Sequence, residues 1–358
     1  MLRPQSARQL LIIPASIAVV GVLIWWLNPV SLVKSAKALS CFHVGGVLGL
    51  LGIMQALRAW RFRISLYRGG SPSLLKLSAV VCIHEFLNHI LPARTGELSY
   101  PYLLHRYCSR SVHQGTASLI LIRIHEIIVL CFLVTAALLL ILKNRGTDVS
   151  LLLTMAILLV LVSVLSWRLL PGLLSFVRLG FKRFLRRKTS GDFSARWIIR
   201  LTEFFEQLST ELEKPRGILH HLGLSTLTVI IWLALFALFW LVLDGVGLHM
   251  SYADAVAGSC LANLTQLLPI NTLGSVGTLE IGWTLGFTWL GFDPRAALAA
   301  GFVMHGLVII GGGLLALCSW ILLEWGKRIR TGPKRLKNSE KDENLGRTGP
   351  SRSHARNG

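Results

Sequence analysis

Asn88-His89-Ile90-Leu91-Pro92-Ala93-Arg94-Thr95-Gly96-Glu97 interrupts an apolar run in the first half of the chain. A second stretch interrupts another run in the same way: Asn263-Leu264-Thr265-Gln266-Leu267-Leu268-Pro269-Ile270-Asn271-Thr272-Leu273-Gly274-Ser275-Val276-Gly277-Thr278-Leu279-Glu280. Each gives an asparagine, then Leu-Pro, then a polar stretch, glycine and glutamate. Proline removes a backbone donor and stops a helix. Paired interruptions in corresponding positions of two halves point to a transport site. The Leu-Pro-x-x-x-Gly match is short, so its weight comes from the surrounding runs.

Those runs belong in a membrane. Of 358 residues, 53% are hydrophobic and only 15% charged, where a soluble domain averages about 25% charged. Several runs reach the roughly 20 residues a helix needs to cross about 30 Å of hydrocarbon. They are continuous rather than alternating, and lipid offers no hydrogen-bond partners, so the fold class is all-α: a polytopic helical membrane protein. The net charge of +20 does not signal nucleic acid. Its lysines and arginines lie between the runs and in the tail, where cytoplasmic loops collect them and can attract anionic headgroups.

The expected spans are about 10–27, 41–60, 115–142, 150–170, 218–243 and 296–323, six in all. Arg58, Arg61, Arg63 and Arg68 read as a cytoplasmic loop after the second span. The broken runs, about 73–107 and 252–290, fit re-entrant helical hairpins entering from opposite sides. Span, hairpin, span in each half then makes an inverted repeat. Full crossings at the breaks are the alternative, which the distribution of positive charge disfavours. The integral membrane domain is thus 1–326, with half one about 10–142, a linker span at 150–170, a basic loop at 171–216 and half two about 217–325. In that loop Trp197, Leu201, Phe204, Phe205, Leu208 and Leu212 recur at helical spacing, an amphipathic helix for the interface or an elbow between halves. Residues 327–358 read as a disordered basic cytoplasmic tail, with the N-terminus on the same side.

Arg123 and Glu126 interrupt an apolar helix. If that helix starts near His113, Arg123 lies about 15 Å deep, where an arginine costs at least about 2.5 kcal/mol. Three residues apart, the two share a face and can pair. They either staple the bundle or present a guanidinium to a polar cavity, ready to hold phosphate through paired hydrogen bonds. Arg94 and Glu97 flank Gly96 at the first break, where freed helix amides favour anions. The candidate substrate-binding residues are Arg94, Glu97, Arg123, Glu126, Asn88, Asn263 and Glu280. The candidate hinges are Pro92, Gly96, Pro269, Gly274 and Gly277. Glu85 is a membrane carboxylate that titrates or pairs, and His305 is a packing histidine or a proton-coupling group.

Several chemistries are not expected. His84 and His89 are five apart and diverge by about 140° on a helix, so His84-Glu85-Phe86-Leu87-Asn88-His89 is not the zinc-protease motif. The six cysteines form no Cys-x-x-Cys pair, so neither a metal site nor a disulfide framework is expected. No phosphate loop and no serine nucleophile elbow is present. Neither an enzyme nor a cofactor is predicted.

At these residues the chain resembles the flippase-like transmembrane family named after the membrane domain of lysylphosphatidylglycerol synthases. The likeness rests on Asn88, Leu91-Pro92, Arg94, Gly96-Glu97 and Tyr102-Leu103-Leu104, then Arg123 with Glu126, then Asn263, Leu268-Pro269, Gly274, Gly277 and Glu280. It covers about residues 10–325. Three departures stand out: Glu126 where the family pattern has Asp, a stretched second break, and His305 where arginine is frequent. No soluble synthase domain follows the last span, so aminoacyl transfer is not implied. The resemblance implies a lipid translocase of the bacterial inner (plasma) membrane, moving an anionic or phosphate-linked lipid or glycolipid between leaflets. The alternative is a non-transporting accessory protein for envelope lipid or glycolipid synthesis. The expected partners are that lipid, the membrane and, on the second reading, a lipid-synthesis enzyme; nucleic acid is not among them.

Overall fold

The computed structural model describes residues 29–66, 72–144, 192–214, 216–265 and 273–347, with isolated positions between 150 and 161. Every regular element among the described residues is helical: α1 (Pro29–Ala38), α2 (Cys41–Ser65), α3 (Leu74–Ile90), α4 (Ser99–Cys108), α5 (Val112–Asn144), α6 (Asp192–Glu213), α7 (Ile218–Gly245), α8 (Tyr252–Thr265), α9 (Thr278–Trp289) and α10 (Pro294–Arg347). Short 3-10 turns occupy Pro92–Leu98 and Leu273–Ser275.

Four described helices are long and apolar enough to cross a membrane: Cys41–Ser65, Val112–Ala137, Ile218–Gly245 and the first part of α10, Pro294–Gly326. They fall on four of the six expected spans. The other two, 10–27 and 150–170, lie wholly or largely outside the described residues. These helices keep large apolar side chains outward, among them Phe132 on α5, Ile230 on α7 and Leu314, Leu317 and Trp320 on α10. Exposed apolar surface on this scale fits lipid rather than water.

Two expectations need correction. α2 does not end at Trp60 but runs to Ser65, and Arg61 is 1% exposed inside the bundle rather than in a loop. Carboxylates meet its inward-facing arginines, which removes the reason to end the helix early. The tail expected to be disordered from Lys327 is helical to Arg347; its run of Lys, Arg, Leu and Glu consists of good helix formers. The amphipathic helix of the basic loop is α6, which buries Leu208, Ser209 and Glu211 and packs on α5. The rest of that loop lies outside the described residues.

Both broken runs fold back on themselves. His84 Nδ1 on α3 lies 3.0 Å from Ser99 Oγ on α4; fifteen residues of straight helix would separate them by about 22 Å. Closer to the turn, Gly96 rests on Asn88, where a Cβ would stand 2.4 Å from its Cα. In the second run a Cβ on Gly282 would meet Leu261 O at 2.9 Å and one on Gly286 would meet Gly258 O at 1.9 Å. Only glycines allow the backbones of α8 and α9 to pack this closely.

The two pairs approach from opposite ends of the bundle. α3 and α4 share the end at which Tyr107 donates to Glu324 (2.5 Å) near the close of the α10 span. α8 leaves from the other end, where Tyr252 on α8 donates to Leu233 O (2.7 Å) on the distal half of α7. Their 3-10 turns adjoin inside the protein. Two apolar cores flank that meeting point. One gathers Ala59, Phe62, Leu77, Tyr100, Leu104 and Ile122 around the first pair. The other gathers Val47, Met54, Phe236, Trp283, Phe287 and Met304 around the second. α2 contributes to both.

Candidate functional site

The first break turns through a single left-handed residue. Pro92 opens the 3-10 turn, and Arg94 adopts φ 56°, a conformation that costs a side-chain-bearing residue about 1–2 kcal/mol. Gly96 then lets the turn settle against Asn88. The second break uses Gly274 (φ 64°), Ser275 (φ 54°) and Gly277 (φ 94°). Pro269, the remaining expected hinge, lies outside the described residues.

Between the cores is a cavity of about 180 Å3 lined by Arg58, Glu85, Asn88, His89, Arg94, Arg123, Glu126 and Asn263, with Ile127, Leu130, Ile231, Trp232 and Leu235 opposite. Five of the seven expected binding residues, Asn88, Arg94, Arg123, Glu126 and Asn263, are therefore on one wall. Glu97 stands just behind. Arg123 donates through Nε to Glu97 Oε2 at 3.2 Å and through Nη1 to Glu126 Oε2, and its Nη2 lies 2.8 Å from Glu97 Oε1 as an ion pair. Arg94 Nη1 is 3.6 Å from Glu97. The expected Arg123–Glu126 pair thus forms, and Glu97 ties the first break to α5.

α2 supplies two residues that the sequence reading put elsewhere. Arg61 Nη2 donates to Glu126 Oε1 at 2.6 Å, and Arg58 Nη1 lies 3.3 Å from Glu85 Oε2. The two arginines are three apart and share a helix face; that spacing was the available signal. Four guanidiniums thus meet three carboxylates, leaving one net positive charge. An excess of arginine in a cleft with apolar walls favours an anion that can take paired hydrogen bonds. Asn88 Oδ1 is buried with no hydrogen-bond partner among the described residues.

The opposite wall is apolar and reaches the outside of the bundle: Ile127 lines the cavity and is itself 41% exposed. A polar group can therefore occupy the arginine wall while an attached hydrocarbon lies along α5 and α7.

Glu280 is not part of this wall. It is fully buried on α9, where it caps the helix by accepting from Gly277 N–H at 2.6 Å and sits 2.6 Å from His305 Nδ1 on α10. The structure therefore places it apart from the other expected binding residues, with its carboxylate engaged inside the second core. His305 does line a second, smaller chamber of about 90 Å3. Arg58, Glu85, His89, Leu235 and Asn263 line both chambers and form the partition between them.

Among the described residues no cluster of three or more His, Cys, Asp or Glu is placed to hold a metal ion, and His84 and His89 serve different surroundings. His84 is fully buried against Tyr100 and Ser99, whereas His89 faces the chambers.

Compared with protein families, the chain matches the model described as the lysylphosphatidylglycerol synthase TM region over residues 13–316. No curated protein matched.

Proposed function

The chain belongs to the lysylphosphatidylglycerol synthase TM region family, and on that premise we propose that it is a lipid translocase that moves an anionic or phosphate-linked lipid between leaflets of the inner membrane. The observation that carries this reading is the two-sided cavity. One wall holds Arg58, Arg94 and Arg123 with Glu85 and Glu126, backed by Glu97 and Arg61, and the other is apolar and runs to the bundle surface. A lipid is the ligand class that needs both. Arg58, Arg94 and Arg123 hold the headgroup; Glu85, Glu97 and Glu126 orient the arginines and take them back when the lipid leaves.

In this reading the two antiparallel helix pairs are re-entrant hairpins of an inverted repeat. Their approach from opposite ends and the meeting of their turns support it. The charged residues of the two ends support an orientation. Arg63, Lys76, Arg106, Arg110, Lys214 and Arg216 lie towards the end where α2 and α4 finish, whereas Lys34, Lys37 and Arg295 are the described lysines and arginines towards the other end. The first end is cytoplasmic under the positive-inside rule.

The test is leaflet-resolved movement of a fluorescent anionic phospholipid in proteoliposomes. The native chain should exchange the probe, and Arg94→Ala and Arg123→Ala should slow it at least tenfold. Equal rates in all three would remove the site. No exchange of any anionic lipid, together with co-purification of a lipid-synthesis enzyme, would favour the accessory reading.

A further inference from the structure

We infer that Glu280 and His305 form a proton-binding site that couples lipid movement to proton movement. The inference rests on the translocase reading above and adds the energy source.

The pair is enclosed. Glu280 is 0% and His305 3% exposed, and they join α9 to α10 through a 2.6 Å contact at His305 Nδ1. With Glu280 ionised, its oxygens only accept, so Nδ1 carries the hydrogen and Nε2 is left as a free acceptor. Nε2 is buried and has no hydrogen-bond partner among the described residues, while the imidazole lines the smaller chamber. A proton arriving through that chamber has an open position at Nε2. Binding there makes an N–H bond and turns the neutral ring into an imidazolium beside a carboxylate. Departure to the other side restores the neutral ring.

The charged and polar surroundings tie this event to the substrate. The groups facing the chamber are Glu85 and His89 from α3, Arg58 and Gln55 from α2 and Asn263 from α8; α7 contributes only Leu235 and Phe239. Arg58, Glu85, His89 and Asn263 are the same residues that wall the lipid cavity. A positive charge gained at His305 repels the Arg58 guanidinium across a low-dielectric space and attracts the lipid's anion.

There is a mechanical link as well. The other oxygen of Glu280 holds Gly277 N–H at the left-handed end of the second break. The 3-10 turn of that break rests on α3 and on the first break, which carries Arg94 and Glu97. A change in how tightly His305 holds Glu280 is thus transmitted to the turn that abuts the lipid-binding turn. A plain staple between α9 and α10 would not need a titratable ring with an open nitrogen in a chamber shared with the substrate site.

The experiment places the full chain in proteoliposomes with a fluorescent phosphatidylglycerol, clamps the membrane potential at zero and imposes a pH difference of one unit. Coupling of one proton to one lipid drives the steady-state leaflet ratio towards about tenfold, since one pH unit equals a tenfold ratio in free energy. His305→Gln and Glu280→Gln should exchange the lipid yet settle at equal leaflets. As a check independent of the variants, an imposed lipid gradient across the native protein should shift the lumenal pH reported by a trapped dye, because coupling is reciprocal. A native chain that exchanges lipid but settles at equal leaflets and moves no protons overturns the coupling and leaves the translocase standing. A His305→Gln variant that keeps the tenfold ratio overturns the site. A native chain that moves no lipid overturns both. If either variant fails to fold, the dye measurement on the native protein decides.

Discussion

The two helix pairs share their backbone geometry but not their composition. In the first, Arg94 sits in the left-handed turn and the pair is tied to α5 by Arg123, which two carboxylates grip at once. In the second, Gly274, Ser275 and Gly277 take the left-handed positions, the flanking helices meet along Gly258, Gly282 and Gly286, and one carboxylate and one histidine are hidden inside. The first is held by long charged side chains that can change partners at modest cost. The second is held by backbone contact, which has little freedom to slide. Under the proposed function, the contrast is consistent with recognition at the first break and proton-linked switching at the second.

The largest expected effect strikes the charged side. Arg123→Ala leaves Glu97 and Glu126 facing each other without their shared cation and should destabilise the protein by about 3 kcal/mol, the low end for a broken buried pair because a quarter of the arginine is exposed. Thermal unfolding in detergent would show it, and recovery of part of that stability with Arg123→Ala plus Glu97→Gln, which leaves Arg61 its partner Glu126, would sharpen the assignment. The backbone side is next. Gly286→Ala should cost about 1–3 kcal/mol through overpacking against Gly258 O, with Gly49→Ala, which meets nothing within 4 Å, as the neutral control. A Gly286→Ala protein as stable as that control would dissolve the contrast.

Smaller effects separate binding from folding. Arg58→Gln should weaken binding of an anionic lipid about tenfold, as for a lost charge-assisted hydrogen bond, measured by ligand-induced shift in melting temperature. Arg61→Gln, at a position that faces Glu126 and Thr228 rather than the cavity, should lower stability instead. The smallest effect belongs to the turn itself. Arg94→Gly should be about 1 kcal/mol more stable than Arg94→Ala, because only glycine adopts φ 56° freely; both should lose the charge and bind lipid equally poorly.

Much of this was legible in the chain. The breaks showed as Leu-Pro followed by polar residues and glycine. Arg123 and Glu126 showed as charges inside an apolar run, and five expected residues share one wall. Arg58 and Arg61 were assigned to a loop because clustered arginines after an apolar run usually mark a cytoplasmic loop. Nothing local to α2 says that Glu85 and Glu126, 27 and 65 residues later, will meet them. The placement of Glu280 was hidden for a related reason. Matching Glu97 to Glu280 treats two halves as chemically alike, yet the partner of Glu280 is His305, a feature of this chain that no repeat pattern contains. Long-range pairing decides such roles, and local spacing does not carry it.

α2 enters both apolar cores, its early turns packing along α7 in one and Phe62 of its late turns packing on Tyr100 in the other. It contains no proline, and its glycines, Gly45, Gly46, Gly49 and Gly52, all lie in its first half, so the half that carries Arg58 and Arg61 is unsuited to a sharp kink. Any swing that exposes the cavity first to one leaflet and then to the other must use this helix as its fulcrum, the rest of the bundle tilting about a rod that stays nearly still. Labels placed along α2 should report little displacement during turnover, even where labels on the two breaks travel far.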